Sequence, residues 1–335
     1  MQIKQALAGC AAVLKGHILR HPQLLNVTLT TNTSCNFKCG YCKIWKREEN
    51  ELTASQIEDL IEQLTCLGVR RLGLTGGEPL LREDIGRIIT YAKQRGIFVT
   101  LNTNGSLVEE RIKELGNVDI ISLSLDGDEA VHNLHKKEEA YQHVMRAIEV
   151  AKGAHLKVMT TTTLTRINLS APGFILRKAK EMGFKAAFQL LHHPPSASGD
   201  TASFLASHNE YRETIKELIS LKKRYPHMII NSRRYFQILL NWPDYRRVVL
   251  DTSPFRVRCW AGHFYCHIDV NGDVYPCHQV LKSLKAPNIL NVPLREAIHN
   301  LTHPPCSICM AGDYLEYNLL FSLDRSALKN LFYSF

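Results

Sequence analysis

Between residues 25 and 191 the chain alternates short apolar segments with amphipathic segments of helical period, and this alternation restricts its fold more than any other feature. Leu25 to Thr30 reads as a strand. Thr53 then opens a helix with a capping box, because Gln56 stands three residues on. Ile57, Leu60, Ile61 and Leu64 follow at helical spacing, and Gly68 ends the run. The cycle repeats with strands at Arg71–Thr75, Phe98–Asn102, Ile120–Leu125, Lys157–Leu164 and Ala187–Leu191. The helices between them are expected around Ile85–Arg95, after Leu107, at Ala140–Lys152 and around Phe174–Met182. Six β/α units imply an α/β fold with a parallel sheet covered by helices. Six suit a partial (β/α)6 barrel better than a flat, doubly wound sheet, and in either case a ligand belongs at the carboxyl ends of the strands. After His192-His193-Pro194-Pro195 the pattern changes to a small polar loop (196–201), a helix over Ser207–Tyr225 and an irregular stretch. The expected organisation is an N-terminal helical extension (1–24), the barrel (25–245) and a small C-terminal module of β-hairpin plus helix (246–335).

Composition narrows the class. With 45% hydrophobic and 22% charged residues the 335-residue chain has the balance of an ordinary soluble protein. No apolar run reaches the roughly 18 residues a membrane span needs, and Met1–Arg20 lacks the apolar core and cleavage site of a secretory signal, so the cytoplasm is the expected location. The net charge of +9 comes from dispersed residues, which fits a surface attracting small anions better than one binding nucleic acid. The ten cysteines are not dispersed: three lie between residues 35 and 42 and five between 259 and 309. In a long chain expected in the cytoplasm, such clusters point to metal or redox chemistry rather than disulfides. Cys10 and Cys66 stand apart and read as small buried hydrophobes.

The first cluster, CNFKCGYC, has the spacing C-x3-C-x2-C and directly follows the first strand. Three thiolates can hold three irons of a [4Fe–4S] cube and leave the fourth iron open, whereas a structural zinc site is normally closed by four protein ligands. Spacing alone favours iron–sulfur and leaves zinc open. Directly after the second strand comes LTGGEP. Two glycines let backbone approach a ligand closely, and the carboxylate of Glu78 can pair with an ammonium. An ordinary strand-to-helix glycine turn is the alternative reading.

Taken in order, Cys35, Cys39 and Cys42 with Tyr41 before the last cysteine, then Gly76-Gly77-Glu78 on the next strand, resemble the signature of the radical S-adenosylmethionine (radical SAM) superfamily. The resemblance implies that the three cysteines hold a SAM-binding [4Fe–4S] cluster and that Gly76, Gly77 and Glu78 meet the amino group of SAM. Tyr41, Asn104, Ser124, Asp126 and Gln189 are its further cofactor-binding candidates, and His192 and His193 could meet substrate. It implies reductive cleavage of SAM to methionine and a 5′-deoxyadenosyl radical that takes hydrogen from an unreactive carbon, with a donor such as flavodoxin or ferredoxin.

Downstream, Asn271-Gly272 between apolar runs signals a hairpin, with Cys259 before it and Cys277 after it, and Cys306 and Cys309 add a C-x2-C pair. Four thiolates would close a cluster site, and zinc is again an alternative. The segment Gly272–Cys277 makes this region resemble the twitch module, the shortened relative of the SPASM domain. That resemblance implies one auxiliary iron–sulfur cluster, [4Fe–4S] in type. Cys266 is left over, either as a packed strand residue or as a catalytic hydrogen-atom donor. Tyr314–Phe335 reads as a helix packed on the barrel; with an N-terminal helix at Leu7–Leu19 it could instead touch a membrane or a lipid. The expected function is oxidation, epimerisation or bond formation on an unidentified substrate in cofactor, natural-product, peptide or lipid biosynthesis. A non-catalytic iron–sulfur or zinc protein, or an enzyme modifying nucleic acid, is the competing class.

Overall fold

The structure, a computed structural model, describes residues 13, 16–18, 22–136, 139–192 and 202–334, the last four by backbone alone. Cys10, His193, the 196–201 loop and most of the N-terminal helix expected at Leu7–Leu19 lie outside the described residues.

Six parallel strands form in the expected order: β1 (Asn26–Thr30), β2 (Arg71–Thr75), β3 (Phe98–Thr103), β4 (Ile120–Ser124), β5 (Val158–Leu164) and β6 (Lys185–Leu190). The helix Ala54–Cys66 starts at the Thr53 capping box: Thr53 Oγ1 accepts from Gln56 N–H and Gln56 Oε1 from Thr53 N–H. Its Ile57, Leu60, Ile61 and Leu64 are fully buried against Val27, Leu29, Leu72 and Leu74 of the sheet. Two helices, Glu129–His135 and Arg233–Leu240, stand where no helix is expected from the periodicity. Cys66 is a correction: it ends the Ala54–Cys66 helix and is exposed, because the apolar stripe of that helix has already turned past it.

Pairing places β7 (Val249–Leu250) antiparallel to β10 (Ile308–Cys309) in a small separate sheet. The expected hairpin forms between β8 (Tyr265–Ile268) and β9 (Val274–Tyr275). It does not stand apart from the barrel, however. β8 pairs parallel with β1, Asn26 opposite Tyr265 and Thr28 opposite His267, so the main sheet runs β6-β5-β4-β3-β2-β1-β8-β9.

Register sorts the sheet into two faces. Leu29, Leu74, Leu101, Leu123 and Cys266 face the helices and are buried. Thr28, Arg71, Thr100, Asn102, Ser122, Ser124, Thr161, Thr163, Gln189 and His267 share the other face. That face is open: Asn102 is exposed and Ser124, Thr161, Thr163 and Gln189 are partly so, although β3 to β5 are interior strands. The helix Gly312–Phe321 lies over this concave side, with Gly312 against Gln189 of β6 and the Tyr317 hydroxyl bonded to Arg71 of β2. One short helix thus reaches two strands four positions apart, following the curl of the sheet.

The C-terminal helix expected from Tyr314 is two helices, Gly312–Phe321 and Arg325–Ser334, broken where Leu323 takes φ 57° and Asp324 caps the second. His17 bonds the Phe321 carbonyl and packs edge-on to Trp260, so this part of the N-terminal segment lies on the C-terminal region. Among the described residues no helix is long and apolar enough to cross a membrane.

Glu316, in the helix Gly312–Phe321, accepts from Ser232 N–H at 2.6 Å, and burial pushes its carboxyl up to about 7 from 4.5. Below pH 4.5 folded and unfolded chains both carry the proton. Between about 4.5 and 7 only the unfolded chain gives it up, so stability falls as pH rises through that window, by at most roughly 3 kcal/mol. Glu316→Gln is expected to flatten this slope in thermal melts; an unchanged slope would place the titration elsewhere.

Candidate active site

The carboxyl ends of β1 to β4 converge. Beyond β1, residues 31–34 run against the turn after β2. Gly77 N–H donates to the Asn32 carbonyl (2.9 Å), Glu78 N–H to the Ser34 carbonyl (2.8 Å), and the Asn32 amide to the Glu78 carbonyl (2.9 Å). This explains both glycines. A Cβ on Gly77 would lie 2.1 Å from the Ser34 carbonyl oxygen, and one on Gly76 2.6 Å from that of Asn32. The close approach expected toward a ligand is, in the structure, an approach of the turn to the segment that carries the cysteines. Gly77→Ala is therefore expected to destabilise the fold by about 1–3 kcal/mol, since backbone atoms cannot yield as side chains do. Chemical denaturation measures this, and a loss below roughly 0.5 kcal/mol would show that the two loops are not in contact.

Glu78 is fully buried. Its Oε1 accepts from Thr103 Oγ1 (2.7 Å) and Leu80 N–H (3.0 Å), and Oε2 from Asn104 N–H (2.7 Å). Burial raises its pKa, and these three bonds oppose the rise. Both oxygens are engaged within the chain, so the carboxylate fixes the ends of β2 and β3 to each other. Asn104 carries the connection onward: its amide donates to Asn36 Oδ1 (2.9 Å) and approaches Cys35 Sγ at 4.0 Å.

Cys39 is buried, and Cys35 and Cys42 are partly so, around Phe37 and Ala140. Phe37 N–H points at Cys35 Sγ (3.4 Å). Burial pushes the Cys35 thiol up to about 11, with Glu78, Cys39 and Cys42 adding to the rise, so the thiols lie within one another's field. Beside them a buried ion pair went unnoticed in the sequence. Lys136 lies 3.1 Å from Asp126 and donates to the Tyr41 hydroxyl (2.6 Å), which in turn donates to Asp126 (2.9 Å). Burial alone would raise the Asp126 carboxyl, but Lys136, His132 and His135 outweigh it and hold it below its ordinary value. Asp126, a cofactor-binding candidate in the sequence, is buried and bonded to Lys136, Tyr41 and the Thr163 N–H (2.9 Å), which ties it to the cysteine loop. The signal that could have found Lys136 is Asp128, which caps the helix Glu129–His135 by accepting from Val131 N–H and so delivers Lys136 to this position.

Ser124 and Gln189 lie on the open concave face, available to a ligand. His192 follows β6, with Nδ1 3.2 Å from the Leu190 carbonyl. Of the two readings of Cys266, the structure shows the packed strand residue. It is 1% exposed, faces the helices within the main apolar core, and burial pushes its thiol up to about 12. Its neighbours Tyr265 and His267 lie on the opposite, concave face of the sheet.

The second set also assembles. Cys259 precedes β8, Cys277 follows β9, Cys306 precedes β10 and Cys309 ends it, and their thiols sense one another: burial raises Cys277, Cys306 and Cys309, and in each case other members of the set add to the rise. Ala311 N–H bonds Cys309, and Gln279 and Val280 N–H bond Cys277. Three buried side-chain atoms nearby lack partners: both ends of the Gln279 amide and the Asn318 Nδ2. Asn318 accepts from the Tyr265 hydroxyl (3.0 Å), itself 3.8 Å from Cys259 Sγ. Orphaned amide donors around four thiols fit the bridging sulfides of a cluster, which accept hydrogen bonds. Among the described residues no three His, Cys, Asp or Glu side chains are arranged to hold a single metal ion.

Comparison with known proteins agrees with this geometry. Residues 29–172 match the radical SAM superfamily. An AdoMet-dependent heme synthase of Methanosarcina barkeri is 26% identical over 294 residues, covering 83% of this chain and 82% of that protein. A probable GTP 3′,8-cyclase of Thermococcus kodakarensis is 32% identical over 200 residues, covering 50% of this chain and 62% of that one. In structure, Streptococcus suis SuiB bound to S-adenosylmethionine aligns with a TM-score of 0.65 at 17% identity, covering 88% of this chain and 69% of SuiB. The fold is that of a radical SAM barrel, and the superfamily match falls on β1 to β5 and the loops that carry both motifs, so the chain carries a radical SAM domain over residues 29–172.

Proposed function

We propose that Cys35, Cys39 and Cys42 hold the [4Fe–4S] cluster that binds SAM, and that Cys259, Cys277, Cys306 and Cys309 hold an auxiliary [4Fe–4S] cluster. The first group supplies, when bound, the electron that splits SAM into methionine and a hydrogen-abstracting 5′-deoxyadenosyl radical, and the second an acceptor for an electron left on substrate. The observation that carries the reading is the clamp of Asn32, Gly77, Glu78 and Asn104 on the three-cysteine loop at the mouth of an open, polar barrel. The chain's own part is positional. The backbone of Gly76 and Gly77, with Asn104, Ser124 and Gln189, orients SAM along the rim. Asp126 and Lys136 fix Tyr41, and with it the cysteine loop. The barrel wall keeps water from the reacting carbon. The reductant is proposed to be a small acidic carrier of the flavodoxin or ferredoxin type, which the net charge of +9 favours, in a reducing compartment such as the cytoplasm.

For substrate, the match to the heme synthase spans most of both chains and therefore extends well past the barrel, whereas the cyclase match covers half of this chain. This supports a cofactor precursor of tetrapyrrole type over a nucleotide. Electron paramagnetic resonance of the anaerobically reconstituted, dithionite-reduced protein tests the cluster assignment. A [4Fe–4S] signal that changes on adding SAM is expected; a signal indifferent to SAM would leave only a structural cluster. Incubation with iron–coproporphyrin III, SAM and reductant tests the substrate class, an unaltered tetrapyrrole mass contradicting it.

A further inference from the structure

Arg71 begins β2, at the opposite end of the strand from Gly76. Five residues at about 3.3 Å each place it roughly 16 Å below the glycine turn, toward the floor of the barrel. Among the concave-face residues of β1 to β4 it is the one cation. Its guanidinium donates to Asn26 Oδ1 (3.4 Å), to Thr100 Oγ1 (3.1 Å) and to the Tyr317 hydroxyl, all neutral groups. Among the described residues no carboxylate stands within ion-pair distance of it; Asp313, on the exposed first turn of the helix that carries Tyr317, is close enough only to be felt. Other cations at similar depth do have one: Lys136 has Asp126, Arg47 has Asp269 and Glu49, and Arg82 has Asp84 and Glu51. A guanidinium taken from water without a counter-charge is costly to hold, and its planar fork is the donor set that matches a carboxylate or phosphate in two-point fashion.

We infer that Arg71 is a substrate-binding residue that receives an anionic group, carboxylate or phosphate, of a substrate lying along the barrel axis. Asn26 and Thr100 hold the fork from the strands on either side, and Tyr317 holds it from the covering helix. Tyr317 also packs 5.6 Å from Tyr265, whose hydroxyl reaches Cys259. The anion is thus held beside the second set of thiols while the rest of the substrate extends toward Cys35. The inference deepens the substrate class proposed above. Its test reads binding without reductant or turnover, so it can fail while the radical chemistry stands, and the reverse.

Three probes are titrated into the anaerobically reconstituted protein: iron–coproporphyrin III, its tetramethyl ester and GTP. The wild type is expected to bind one of the two anions, the porphyrin acid identifying a carboxylate and GTP a phosphate, and to bind the ester at least tenfold more weakly than the acid if the acid is the ligand. Arg71→Gln is expected to weaken the bound anion at least tenfold and Arg71→Lys less. Asp313→Asn, which removes the opposing charge without touching Arg71, is expected to tighten it. Binding by Arg71→Gln within twofold of wild type, equal binding of acid and ester where the acid binds, or binding of neither anion overturns the inference. Should Arg71→Gln fail to fold, Asp313→Asn decides: unchanged or weaker binding is contrary to it.

Discussion

Cys39→Ala is expected to abolish reductive cleavage of SAM, a fall of at least roughly a thousandfold, while the protein still folds. Both halves follow from the geometry. Cys39 is the buried member of the first three cysteines, 8% exposed against Phe37 and Ala140, and loses only a sulfur's worth of packing, about 1 kcal/mol. As a ligand it has no substitute, because the loop carries only Cys35 and Cys42 besides. Iron content should drop by about four per chain and leave about four behind. An undiminished yield of 5′-deoxyadenosine from this variant would remove the first set from the reaction.

Cys277→Ala is expected to be the more damaging to structure. Cys277 closes the hairpin whose first strand extends the main sheet, and Cys259 before β8 and Cys306 and Cys309 at β10 share its surroundings. A metal group bound only by the folded chain contributes its binding energy to folding. Loss of this ligand should therefore lower the melting temperature of the reconstituted protein more than loss of Cys39 does, and remove the other four or so irons. Zinc at about one per chain, present in Cys39→Ala and absent in Cys277→Ala, would show the second site to be structural zinc.

The parts of this fold that were legible in the sequence are those set by local physics. Arg71–Thr75 forms as expected to the residue, and Thr53 starts its helix, because periodicity and capping are written within a few positions. The two cysteine sets were legible because thiols at close, regular spacing stand out from the rest of the chain. What depends on distant register was not. Whether Cys266 faces cavity or core is decided by its pairing opposite Val27, some 240 residues earlier, and one step of register reverses it. Asp126 looked available at a strand end because its partner Lys136 comes from a helix the periodicity did not reveal. That the turn of Gly76 and Gly77 packs on residues 32–34 was not legible either, because it depends on the pairing of β1 with β2, more than 40 residues apart. Arg71 drew no notice as the first residue of a strand; only the curl of the sheet and the helix laid across it turn that position inward.

The most direct test of the account is the product of SAM itself. The protein, reconstituted anaerobically with iron and sulfide, is given SAM and dithionite, and 5′-deoxyadenosine and methionine are quantified by mass spectrometry against the variants lacking Cys35, Cys39 or Cys42. The account predicts equal amounts of the two products from the wild type and none from the three variants. A fully iron-loaded wild type that forms no 5′-deoxyadenosine would contradict it.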